Sequence, residues 1–189
     1  MAGAKVKNTR DLALIIFFAV LNFIFMVVIG QVANSITFIP GIGYAFIIFY
    51  SIIASIAWLM YEGRRWRILA QGLLFNSLAL LFIPSRRSPI VIGAILNVLI
   101  VDLIFNSVYG FFRKKNKLLW WIEFLQVFFW AIAPLWDVLF LSLFVYPFES
   151  VLKTWFIPIM SVMLPIMIVE ALAGGYIGYK IYQRVVKLA

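Results

Sequence analysis

Four carboxylates stand inside long apolar runs of this 189-residue chain: Asp102, Glu123, Asp137 and Glu170. Ionisable groups in such surroundings are costly, and those that persist face an interior, pair with polar neighbours or carry protons. Asp137 directly follows Trp136, and Trp130, Tyr146 and Trp155 lie nearby in the chain. A carboxylate among electron-rich rings suits a cationic heteroaromatic ligand, such as thiamine or its pyrimidine precursor, because the ring faces attract positive charge. The amides Asn76 and Asn97 are candidates to orient a ligand in the same pocket, or to join helices by hydrogen bonds. Asp102 and Glu170 lie nearer the middle of their runs. They read either as buried carboxyls hydrogen-bonded to amides or as a proton-coupling pair.

Other chemistries are excluded by composition. The chain has no Cys and no His, which removes disulfides, Cys/His zinc sites, haem ligation through either residue, and Ser-His or Cys-His nucleophilic pairs. It has no phosphate-binding glycine loop and no pair of aspartate-rich motifs. The expectation is a protein that is not an enzyme, needs no cofactor and does not itself hydrolyse ATP.

The elements that must position these residues are apolar helices. The hydrophobic fraction is 66% and the charged fraction 12%, against roughly half and a quarter in soluble domains. Six runs are long enough to cross a bilayer core: residues 11–32, 44–61, 66–83, 90–112, 118–146 and 155–182. The first is too long for the apolar region of a signal peptide. Pro134 interrupts the fifth run, and Pro158 and Pro165 the first half of the sixth. No linker or second domain is visible, so residues 1–189 read as one all-α, six-span transmembrane domain.

Lys and Arg give the orientation. The amino end, the loops after runs two and four, and the carboxyl tail hold 3, 3, 4 and 3, while the loops after runs one, three and five hold 0, 2 and 1. Positive charge stays on the cytoplasmic side, so both termini are expected there. Asn76, Asn97, Asp137 and the Trp and Tyr residues around them then fall in the outer half. The net charge of +9 is accounted for by this asymmetry, and clusters so widely separated do not suggest a nucleic-acid partner. In the last run Gly174 and Gly178 are four apart, a small-residue face for close helix packing or for docking a partner. Ala13 and Ala19 of the first run are further candidates for helix packing or partner docking.

This pattern resembles a known family, the S components, or substrate-binding subunits, of energy-coupling-factor transporters. The resemblance is diffuse and covers most of the chain. Asn8-Thr9-Arg10-Asp11-Leu12-Ala13-Leu14-Ile15 is similar to the opening of the family's first helix, and Pro40-Gly41-Ile42-Gly43 to the end of its first outer loop. The stretch from Gly93-Ala94-Ile95-Leu96 to Asp102-Leu103-Ile104-Phe105 resembles a fourth span, and that from Glu170-Ala171 to Gly178-Tyr179 a last helix. The resemblance implies capture of a vitamin or vitamin precursor in the outer half and release inward. It also implies association with a transmembrane coupling protein and two ATPase subunits in a prokaryotic plasma membrane. One departure stands out: the Ala-x-x-x-Ala docking face common on the family's first helix reads here as Ile15 with Ala19, or Ile16 with Val20. The competing expectation, independent of the resemblance, is a proton-coupled secondary carrier or channel using Asp102 and Glu170.

Overall fold

The structure is a computed structural model that describes residues 9–25, 29–30, 46–83 and 88–188. The described residues are almost entirely helical and contain no strand. Six helices correspond to the six runs: α1 (Thr9–Phe25), α2 (Ile47–Met60), α3 (Arg67–Phe82), α4 (Ile90–Lys114), α5 (Leu118–Phe144) and α6 (Ile157–Leu188). A single turn at Phe148–Ser150 and a wider π-helical segment at Val151–Phe156 lead into α6. Three helices, Ile90–Lys114, Leu118–Phe144 and Met160–Val185, are long and apolar enough to cross a membrane, whereas α2 and α3 are shorter apolar helices. The Pro40–Gly43 segment lies outside the described residues.

Backbone conformation explains two sharp reversals. Between α2 and α3, Glu62 and Gly63 take positive φ values of 53° and 72°, a left-handed pair in which glycine carries no Cβ penalty. A Cβ on Gly63 would also lie 2.6 Å from the Tyr109 ring, so the turn is pressed against α4. Between α4 and α5, Asn116 takes φ 54°, a conformation its short amide tolerates better than most side chains. The hairpin is then closed by Phe112 stacking on Trp121, with ring centroids 4.6 Å apart and planes 6° from parallel.

The helices form a closed ring in the order α1, α3, α4, α5, α6, α2, with α2 also touching α3 and α5. The most extensive interface joins α2 to α6. There the small faces meet: a Cβ on Gly174 would lie 2.4 Å from Ser51 Cβ and 2.8 Å from the Ile48 carbonyl, and one on Gly178 would lie 2.7 Å from Ser55 Cβ. Gly-x-x-x-Gly on one helix thus fits Ser-x-x-x-Ser on the other, the close approach that drives helix association where no water is present to be released.

One core cluster draws on all six helices, centred on Ala57, Leu59, Val101, Phe105, Ile122 and Leu125 and reaching Tyr179 of α6. A second lies between α2, α5 and α6, around Ile47, Met160, Met167 and Ala171, with Tyr50 and Trp130 packed against it. Large apolar side chains also cover the outside: Phe17, Leu81, Leu143 and Val169 are all more than half exposed. Burial therefore does not account for the hydrophobicity of this chain.

Candidate functional site

Several buried polar groups without partners among the described residues lie on α4 and α5. At the seam between these helices Gly93 lets them approach, because a Cβ there would lie 2.6 Å from Trp136 Cβ. One turn further along α4, Asn97 is 1% exposed and its Nδ2 donates to the Phe129 carbonyl at 2.9 Å. Gln126 and Trp130 flank Phe129 on the same face of α5, since residues three and four apart are neighbours on a helix. Gln126 is fully buried. Neither of its amide atoms has a hydrogen-bond partner among the described residues, nor do Asn97 Oδ1, Trp130 Nε1 and Trp136 Nε1.

A further acceptor comes from the backbone. Pro134 lies inside α5 and has no N–H, so the helix provides no donor for the Trp130 carbonyl four residues earlier. Rings complete the cluster: Trp130 packs edge-on against Phe129 at 5.0 Å and lies 5.9 Å from Tyr50 of α2, while Trp58 meets Phe129 at 5.9 Å. The seam thus offers several donors and acceptors between aromatic faces, without a full charge among them. Among the described residues no three His, Cys, Asp or Glu side chains gather to hold a metal.

Two of the residues singled out in sequence, Asn97 and Trp136, are brought to this seam, while Trp130, one turn from Gln126, packs beside Tyr50 on the cluster between α2, α5 and α6. Asp137, half-buried, follows Trp136 and therefore points about 100° around the helix from it. Asn76 is buried on α3, where its Nδ2 donates back to the Gly72 carbonyl at 2.8 Å. That bond lies within its own helix, a packing role rather than a ligand-facing one. Tyr146 is 59% exposed beyond the end of α5, and the side chain of Trp155 lies outside the described ones.

Asp102 and Glu170 do not meet. Asp102 accepts hydrogen bonds from the backbone N–H groups of Trp66 (3.0 Å) and Leu69 (3.1 Å) and from Asn106 Nδ2 (2.7 Å), so it caps the first turn of α3. Glu170 accepts from the N–H groups of Ile47 (2.8 Å) and Ile48 (3.3 Å), capping the first turn of α2. Each carboxylate is aimed at the partial positive end of a helix that starts inside the bundle. The two caps lie near opposite ends of α2, whose 14 residues put them roughly 20 Å apart. A proton shared between them is incompatible with that spacing.

An ion cluster ties α1 to the α2–α3 turn. Asp11, 2% exposed, takes Arg64 Nη1 at 2.6 Å and Arg67 Nε at 3.1 Å on its two oxygens. Of the small residues proposed for packing or docking, Gly174 and Gly178 are filled by α2, and Ala19 is fully buried. Ala13 is exposed in a shallow apolar groove along the outside of α1, shared with Ile16, Phe17 and Val20.

Gln126 was not among the amides that the sequence nominated for the site. Its spacing four residues before Trp130 and eight before Pro134 was the available signal. The Asp11–Arg64–Arg67 cluster was missed because its members are more than 50 residues apart. No family model matches the chain, and no curated protein or solved structure matches it.

Proposed function

We propose that this chain is an integral membrane protein with six spans and both ends in the cytoplasm, and that it captures a small molecule for import. The observation that carries the reading is the buried group of amides and Trp N–H donors on a proline-interrupted helix, inside a bundle whose outer surface is apolar. Backbone and side-chain polar groups left without partners inside a membrane protein are tolerated where they line a place for solute or water. The resemblance to S components of energy-coupling-factor transporters supplies the rest. The chain would reside in a prokaryotic plasma membrane, hand its substrate to a transmembrane coupling protein served by two ATPase subunits, and take a vitamin or precursor such as thiamine. Nothing in the geometry favours the carrier reading, since Asp102 and Glu170 each serve a separate helix terminus.

The test is binding and retention by the purified full chain. Native mass spectrometry of protein extracted in mild detergent should find a small molecule bound. Thiamine titrated by calorimetry should bind with an affinity that Asp137→Asn lowers about tenfold, the effect of losing one close charge interaction of about 1.4 kcal/mol. Unchanged thiamine affinity in Asp137→Asn would remove Asp137 from the site. Uphill uptake by the chain alone in proteoliposomes, without ATPases, would overturn the capture-subunit reading.

A further inference from the structure

Gln126 is the least explained residue of the interior. It is fully buried, presents one acceptor and two donor hydrogens, and none of them is used within the described residues. A buried amide without partners is costly, and in native proteins such groups are rare enough to require a reason. Packing provides none here, because an apolar side chain of the same shape would fill the space without the desolvation penalty. Helix association provides none either, since Asn97 already makes the α4–α5 bond through its Nδ2 and leaves Oδ1 over.

The unused groups are of both polarities: Gln126 and Trp130 stand one turn apart on α5, and Asn97 of α4 is bonded to the carbonyl of Phe129 between them. Gln126 supplies donors and an acceptor, Asn97 Oδ1 an acceptor, and Trp130 Nε1 a donor. The Trp130 carbonyl, released by Pro134, adds a second kind of acceptor. Such a set is matched by a planar, uncharged edge that itself carries a donor beside an acceptor. Side-chain amides read the adenine edge in this bidentate way. A bare cation would leave the N–H donors unpaired, and an anion would leave the carbonyl oxygens unpaired.

Resting on the capture reading above, we infer that Gln126, with Asn97 and Trp130, recognises a neutral donor–acceptor edge of the substrate, of the amide, lactam or aminopyrimidine class. The rings of Trp130, Phe129 and Tyr50 offer apolar faces for the body of such a molecule.

The discriminating variant is Gln126→Leu, studied in the full-length protein with thiamine and with the neutral aminopyrimidine precursor of thiamine as probes. Loss of two buried hydrogen bonds should weaken both ligands about a hundredfold, at about tenfold per bond. Asp137→Asn, eleven residues further along α5 and so roughly 16 Å away, should leave binding of the aminopyrimidine unchanged. In the absence of ligand Gln126→Leu should melt no lower than the parent, because it removes an unpaired amide, and this separates loss of recognition from loss of fold. If the parent binds the probes and Gln126→Leu binds them equally well, the assignment of Gln126 is overturned while the capture reading stands. If the parent binds neither probe but carries another small molecule by native mass spectrometry, loss of that molecule in Gln126→Leu supports the assignment and its retention overturns it. If the parent binds neither probe and carries nothing, both the assignment and the capture reading fall.

Discussion

Asp102 directs both oxygens at the backbone of a helix other than its own, and Glu170 directs one, Oε2, at the first N–H groups of α2. A capping side chain ordinarily comes from the residue that precedes the helix. Here neither α2 nor α3 receives a side-chain cap from its own N-cap position, and the acceptor arrives from 36 or 123 residues away. Both carboxylates were legible in the sequence as buried polar groups, because apolar runs tolerate them only for a reason. Their partners were not, since a backbone N–H has no signature in sequence. The cap makes a prediction that a proton-carrying role does not. Asp102→Ala leaves two N–H groups and the Asn106 amide without their acceptor, and should cost about 1–3 kcal/mol of stability, seen as a lower melting temperature in detergent micelles. Asp102→Asn keeps one acceptor oxygen and should cost less. A parental melting temperature for Asp102→Ala would show that the cap is dispensable to the fold.

Most helix limits could be read from breakers and basic clusters, and α3, α4 and α5 agree with their runs to within two residues. The last helix differs more: it continues to Leu188, past the point where apolar residues give way to Lys180 and Arg184, because a helix can leave an apolar region without ending. What the sequence withheld was the pairing of helices. The spacing of Gly174 and Gly178 marked a close contact, yet nothing along the chain nominated Ser51 and Ser55 as the surface they meet. Ser is as much a small residue as Gly to a neighbouring helix, but a serine pair inside an apolar run reads first as isolated polarity. The contact can be tested against a control. Gly174→Leu meets Ser51 Cβ and the Ile48 carbonyl, and backbone cannot move aside as a flexible side chain can. The substitution should cost about 1–3 kcal/mol and lower the melting temperature. Gly110→Ala has open space around its Cβ and removes a flexible residue from a helix interior, so it should stabilise by about 0.5–1 kcal/mol. Equal behaviour of the two variants would mean that the α2–α6 contact does not hold the bundle together.

At the scale of the whole molecule, an apolar exterior encloses capped carboxylates together with buried polar atoms left without partners among the described residues, both on α4 and α5 and at Ser51 and Ser55 of α2. In water this arrangement would be inverted, because exposed Phe17, Leu81, Leu143 and Val169 would gain by burial and Gln126 by exposure. The charge asymmetry adds a direction: 13 Lys and Arg on one set of alternating loops and termini against 3 on the other. Topology is therefore testable independently of any substrate, and the chain suits the experiment because it contains no Cys. Single cysteines at Lys115 in the α4–α5 turn and at Ala189 in the carboxyl tail should be shielded from a membrane-impermeant maleimide in intact cells, and labelled once the membrane is opened. Cysteines at Ser88, ahead of α4, and at Glu149, ahead of α6, should be labelled in intact cells. Glu149 is a sensitive site, being exposed beside Lys153, the lone basic residue of its loop. If Ser88→Cys and Lys115→Cys react alike from outside, α4 does not cross the bilayer. If all four positions exchange their behaviour, the six crossings stand but the orientation reverses, and Trp136 and Asp137 would then face the cytoplasmic half, where an importer does not first meet its substrate.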